Sequence, residues 1–103
     1  MQTIWKFPLK ITDLQLVEIP ARSTLLRVGT QDGTLYMWAL VDPNAKRVNR
    51  AIYLRGTGHG IIGYIGEYVG TTEISYTDYD VSSTYVWHVF GVPTDLPLSK
   101  SNE

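Results

Sequence analysis

The chain has 103 residues, which is enough for one domain, and its 44% hydrophobic and 18% charged residues are typical of a globular protein. No apolar run approaches the ~20 residues of a membrane span. Cysteine is absent, which excludes disulfides, thiolate catalysis and cysteine-ligated zinc and favours a cytoplasmic location.

The net charge of −1 conceals an uneven distribution along the chain. Residues 1–55 hold eight Lys or Arg against four Asp or Glu, a net charge of +4. Residues 56–103 hold one Lys against six Asp or Glu, a net charge of −5. This polarity favours self-association into a homo-oligomer, although opposite charges can also meet inside one small fold.

The predicted elements are strands throughout, because Thr, Val and Ile together number 28 against only four Ala. The patterns predict strands at residues 3–7, 14–19, 51–55 and 84–90, and shorter ones near 64–69 and 72–76. Loops are predicted at residues 42–50 and 77–80, and a short helical turn is an alternative to extended chain around residues 60–64. The sequence therefore predicts an all-β fold, a small antiparallel β-sandwich or partly open β-barrel of about six to seven short strands. Residues 1–92 form the predicted domain and 93–103 a flexible tail.

The clearest local signal is Asp32-Gly33 between two apolar runs, which predicts a two-residue hairpin turn with positive φ at both positions. Strand pleating then divides the side chains between two faces. The predicted cross-strand pairs are Val28 with Met37, Arg27 with Trp38, and Leu26 with Ala39. The predicted core face carries Leu26, Val28, Leu35, Met37 and Ala39.

The opposite face of this hairpin carries Arg27, Tyr36 and Trp38, with Gly29 leaving space beside Tyr36. A guanidinium beside an indole can stack on it. This face is therefore a candidate platform for a planar ligand. The alternative is a second packed layer, because aromatic side chains commonly fill cores.

A glycine-rich stretch at residues 56–63 begins with Gly56, Thr57, Gly58 and His59 and follows four cations, the last of which is Arg55. Bare backbone amides in such a loop can hold phosphate or another anion. The spacing matches neither a P-loop nor a dinucleotide fingerprint. The alternative is a turn that needs positive φ between two strands.

His59 and His88 are the only histidines, and a zinc site would need two further ligands that the sequence does not supply, so no metal is predicted. His88 lies in mid-strand and faces either a ligand or a buried carbonyl. The serines have no His–acid pattern nearby. We therefore expect no enzymatic activity and no cofactor.

The chain contains five sequence blocks that, in this order, resemble those of a family of small uncharacterised phage and prophage proteins. They are IWKFPL at residues 4–9, LYMWALVDP at 35–43, GTGH at 56–59, YIG at 64–66 and WHVF at 87–90. The segment between 66 and 87 is longer here than in that family. The resemblance implies a phage origin and the cytoplasm of a bacterial host, and it implies no activity.

Together these features predict a non-enzymatic phage accessory protein of the anti-defence kind, which binds and sequesters a nucleotide-like immune signal. In this hypothesis the aromatic platform and the glycine-rich loop meet in one pocket for an anionic ligand, in a homo-oligomer. The alternatives are a protein–protein inhibitor of a host defence enzyme, a phage structural or assembly factor, and a single-stranded nucleic-acid binder.

Overall fold

The computed structural model describes residues 1–98, which form seven antiparallel β-strands in two sheets and contain no helix. The strands are β1 (Thr3–Leu9), β2 (Leu14–Pro20), β3 (Thr24–Gln31), β4 (Thr34–Val41), β5 (Arg47–Gly56), β6 (Glu67–Asp78) and β7 (Val81–Gly91). Sheet A has the order β1-β4-β3, and sheet B has the order β2-β5-β7-β6. The sheets do not close into a barrel, so the all-β prediction is confirmed as a small sandwich.

The core lies between the two sheets and follows the period of two that a half-buried strand requires. In β4, Leu35 and Met37 are buried, whereas Tyr36 and Trp38 between them are only half-buried. In sheet B, Ile52, Leu54 and Val89 are buried in the same cluster. A second cluster continues the core along the sandwich through Ile19, Ala21, Ala39, Val41 and Val48.

The β3–β4 turn has positive φ at Asp32 (50°) and Gly33 (77°), as predicted. The register pairs Val28 with Met37 and Arg27 with Trp38, also as predicted. The third pair is wrong, because a β-bulge between Leu25 and Arg27 makes Leu25 the partner of Ala39. Leu26 is consequently 44% exposed and does not belong to the core.

Other strand ends differ from the predictions. β1 continues through Pro8, which a strand at the edge of its sheet tolerates because one side of its backbone needs no partner. β5 begins at Arg47, inside the predicted loop. The two short strands predicted near 64–69 and 72–76 are replaced by the single strand β6, which starts at Glu67, and no helical turn forms at 60–64.

The end of the chain lies against β5. Asn49 and Leu96 exchange two backbone hydrogen bonds of 2.8 Å each. The Arg50 side chain is 7% exposed, and it donates to the backbone oxygens of Ser23 and Val92 and lies 3.8 Å from the Asp95 carboxylate. Asp95 and Leu96 of the predicted tail make these contacts, and residues 99–103 lie outside the described residues.

Candidate functional site

The glycine-rich loop begins where β5 ends and folds back on itself at once. The Gly56 N–H donates to Nδ1 of His59 at 3.0 Å, and the His59 N–H donates to the Gly56 oxygen at 3.0 Å. A Cβ on Gly56 would lie 2.8 Å from the His59 ring, and Gly58 has a φ of +90°. Glycine at these two positions therefore lets the imidazole lie directly over the end of β5.

The side-chain N–H groups of His59 and Trp87 both lie beside this loop. Because Nδ1 of His59 accepts a hydrogen bond, the hydrogen of the neutral ring is on Nε2. The His59 ring meets the Trp87 ring edge-on, with centroids 6.1 Å apart. The Trp87 Nε1–H is buried and has no hydrogen-bond partner among residues 1–98. A buried N–H without an acceptor costs about 1–3 kcal/mol, so this position favours a guest that supplies an acceptor.

A cleft of about 230 Å³ separates the loop from β7 and is lined by Gly56, Thr57, His59, Thr84, Tyr85, Val86 and Trp87. It opens at the point where β5 stops, because Gly56 with Trp87 is the last pair between β5 and β7. A second cleft, of about 310 Å³, lies on the other side of His59 and contains Arg55 and Asp13. His59 thus borders both clefts, one lined by Trp87 and the other by Arg55.

Arg55 is half-buried at the edge of the second cleft. One of its terminal nitrogens donates to the backbone oxygens of Asp13 (3.0 Å) and Leu54 (2.8 Å). Its guanidinium also lies 5.6 Å from the centre of the Tyr53 ring. These contacts hold the cation beside the loop without neutralising it, because no carboxylate among residues 1–98 forms an ion pair with it.

His88 lies outside the cleft and is bonded on both ring nitrogens. Its Nε2 is 2.8 Å from the Thr57 hydroxyl and its Nδ1 is 3.0 Å from the Thr71 hydroxyl, which is in turn 2.6 Å from the Tyr68 hydroxyl. No carboxylate takes part in this chain of hydrogen bonds. Through its hydrogen bond to the Thr57 hydroxyl, His88 positions Thr57 and the loop.

The predicted platform of Arg27, Tyr36 and Trp38 lies on the outer face of sheet A. The Arg27 guanidinium is 5.3 Å from the centre of the Trp38 ring. Lys6, which sequence reasoning did not include, lies 4.3 Å from the centre of the Tyr36 ring. Both rings therefore already carry a cation. We call Lys6, Arg27, Tyr36 and Trp38 the cationic patch.

The loop and the cationic patch are not in one pocket of this chain, so they do not meet within a single copy. Arg27, Tyr36 and Trp38 alternate with core residues of sheet A and point away from sheet B. Arg55 and His88 alternate with Leu54 and Val89 and point away from sheet A. The two groups occupy opposite outer faces of the sandwich, and Trp38 is half-buried rather than sealed in the core.

Sequence reasoning missed the four residues of β7 that line the loop cleft, Thr84, Tyr85, Val86 and Trp87. Trp87 is adjacent to His88, so the two side chains point to opposite faces of the strand. The choice of His88 as a site residue therefore selected a side chain that does not line the cleft. The signal that could have identified Trp87 is the antiparallel pairing of residues 51–56 with 87–91, which brings Trp87 opposite Gly56.

Two further observations concern metals and membranes. Among residues 1–98, no three or more His, Asp or Glu side chains come together as ligands for a metal ion. Within the same residues, none of the structure forms a helix of the length and hydropathy needed to cross a membrane.

Comparison with known proteins gives the family. No curated protein and no solved structure matches the chain. A family model described as a domain of unknown function, DUF7352, matches residues 1–98. The chain therefore belongs to the DUF7352 family.

Proposed function

We propose that this chain is a non-enzymatic binding protein that holds a small anionic, nucleotide-like ligand between the glycine-rich loop and Trp87. The single observation that carries the proposal is the buried, unpartnered Nε1–H of Trp87, a residue that lines the cleft beside His59. A ligand oxygen or ring nitrogen would satisfy this donor and remove its desolvation penalty.

Charge and ring chemistry in the two clefts select the class of ligand. Arg55 supplies a cation at one side of His59, and the exposed backbone of Gly58 and Gly60 supplies amides that suit phosphate oxygens. Trp87 and His59 supply ring surface on the other side, which suits a base. A ligand with both a base and a phosphate can use both clefts at once.

The resemblance to phage proteins supplies the biological setting of the proposal. The protein would act in the cytoplasm of a bacterial host as an anti-defence protein that sequesters a nucleotide-like immune signal. Sequestration rather than hydrolysis fits His59 and His88, because each bonds to hydroxyls or backbone and neither bonds to a carboxylate. The alternatives are inhibition of a host defence enzyme and a phage structural role.

The test is titration calorimetry of the purified chain against cyclic oligonucleotides, ADP-ribose derivatives and simple mononucleotides. At least one is expected to bind, and Arg55→Ala should weaken its affinity by about tenfold, the value of one charge-assisted hydrogen bond. Arg27→Ala is the matched control, because it removes the same side chain from the opposite face. Chromatography of the mixture should return the ligand unchanged.

Three results would contradict the proposal. A panel without any binding would remove its basis. Equal losses in Arg55→Ala and Arg27→Ala would show that the loop does not select the ligand. The appearance of hydrolysis products would show that the protein is an enzyme.

A further inference from the structure

The hairpin formed by β6 and β7 extends beyond the sandwich. Every residue from 75 to 85 is exposed, on both faces of the hairpin, and we call this segment the arm. The molecule measures 47 Å along its longest axis and about 30 Å along the other two. An exposed two-stranded ribbon gains little from its own core, so its contacts with a partner matter for its stability.

The two faces of the arm differ in chemistry. One face carries hydroxyl pairs, Ser75 with Thr84 (2.8 Å) and Thr77 with Ser82 (3.1 Å). The other face continues the core-facing side of the strands and carries Tyr76, Asp78, Val81, Ser83 and Tyr85 around a shallow cleft. On this second face the Tyr76 and Tyr85 rings lie 5.8 Å apart, and Tyr85 is 51% exposed.

The charges of the arm and of the cationic patch are complementary. The arm holds Asp78 and Asp80 and no Lys or Arg. The three strands of sheet A hold Lys6 and Arg27 and no carboxylate. An acidic tyrosine-bearing surface and a basic aromatic surface thus occur on the same chain.

The arm and the cationic patch also lie at the same end of the sandwich. Thr30 near the end of β3 bonds to Thr72 and to the backbone oxygen of Glu73, so the arm leaves the sandwich beside the β3–β4 turn. Lys6 of the patch donates to Gln31 at that turn. Two copies that meet at this end bring each arm towards the other copy's patch.

We propose that two copies of this chain form a reciprocal dimer, in which the Tyr76–Tyr85 face of each arm docks on the cationic patch of the other copy. Asp78 lies on the docking face and pairs with Lys6 or Arg27 of the partner. An aromatic residue buries about 150–250 Å², so Tyr76 and Tyr85, each about half exposed, and Val81 contribute about 300 Å² per arm. Two such contacts, counted on both copies, bury about 1,200 Å², which is the lower end of the size of a specific interface.

Native mass spectrometry and sedimentation of the full chain test this arrangement through charge exchange. The wild-type chain is expected to be a dimer in the micromolar range. Asp78→Lys and the double variant Lys6→Glu/Arg27→Glu should each be monomeric alone, because like charges then face one another. When the two variants are mixed, every contact is again between opposite charges, so a heterodimer should form.

The matched control is Glu73→Lys, which makes the same charge change in the same strand but at a position on the opposite face, where it pairs with Val86. It should remain a dimer. A wild-type chain that stays monomeric overturns the proposal. A dimer that survives Lys6→Glu/Arg27→Glu overturns it too, because the arms would then pack without the patch. The absence of a heterodimer after mixing two folded variants does the same.

Discussion

Replacing Arg50 by alanine is expected to destabilise the whole domain. Arg50 is buried in β5 and connects three parts of the chain that are distant in sequence. Its Nε donates to the Val92 oxygen at 2.8 Å, and a terminal nitrogen donates to the Ser23 oxygen at 3.0 Å. The same nitrogen lies 3.8 Å from Oδ1 of Asp95. This oxygen has no hydrogen bond among residues 1–98, whereas Oδ2 accepts one from the Arg22 N–H at 2.9 Å.

The cost follows from what Arg50→Ala leaves behind. Two carbonyl oxygens lose a charged donor, and the Asp95 carboxylate loses the only cation paired with it in the described part of the chain. A hydrogen bond from a charged donor contributes about 1.5–3 kcal/mol, so the loss of the two bonds to the Val92 and Ser23 oxygens should cost at least about 3 kcal/mol. For a domain of this size each kcal/mol lowers Tm by about 4–8 °C, so Tm should fall by at least about 12 °C.

The assay is urea unfolding of the wild type, Arg50→Ala and a control, Arg27→Ala. Arg27 is exposed and contacts only one face of Trp38, so its loss should cost about 0.5–1 kcal/mol. The reasoning fails if Arg50→Ala costs less than about 1 kcal/mol, or if the two variants are equally destabilised.

The remaining predictions concern strain and the two outer faces. Gly66→Ala should cost more than about 2 kcal/mol in thermal melts, because φ is +104° and a Cβ would lie 2.5 Å from the Gly91 carbonyl. Gly58→Ala should cost only about 1 kcal/mol, because φ is +90° but nothing lies within 4 Å; equal costs would contradict the steric argument. Trp38→Ala should cost less than the ~3 kcal/mol of a core tryptophan and leave ligand affinity unchanged; a larger stability loss would place Trp38 in the core.

The β3–β4 hairpin shows which parts of a strand pairing can be predicted from the residues of its turn. Asp32-Gly33 determines the turn and, through it, the pairing of Val28 and Arg27 with β4. The prediction fails at the next residue away from the turn, Leu26, where the bulge lies. Leu25 and Leu26 are equally apolar, so the sequence holds no signal for which of them faces the core.

The arm is the part of the fold that the sequence pattern does not predict. Its strands carry alternating hydroxyls and tyrosines rather than the apolar residues of a core strand, and Asp78 to Asp80 is typical of a loop. The observed turn has positive φ at Tyr79 (50°) and Asp80 (65°). Tyrosine seldom adopts this conformation, so residue preferences do not predict a tight turn there.

The separation of the loop from the cationic patch could not be read from the sequence either. Alternation determines which side chains share one face of one sheet. How the two sheets stack depends on contacts between strands far apart in the chain, such as Val28 and Met37 with Ile52 and Val89. The candidate residues were therefore individually identifiable, whereas their grouping required the fold.

The most direct test of the proposed function is ¹⁵N–¹H NMR of the indole groups during titration with a ligand from the panel. The chain has three tryptophans, Trp5, Trp38 and Trp87, so three indole N–H signals are expected, and Trp87→Phe assigns the one that matters. Binding at the loop gives the buried Trp87 Nε1–H an acceptor, so its signal should move while the Trp38 signal stays. Movement of the Trp38 signal with a fixed Trp87 signal would contradict the account.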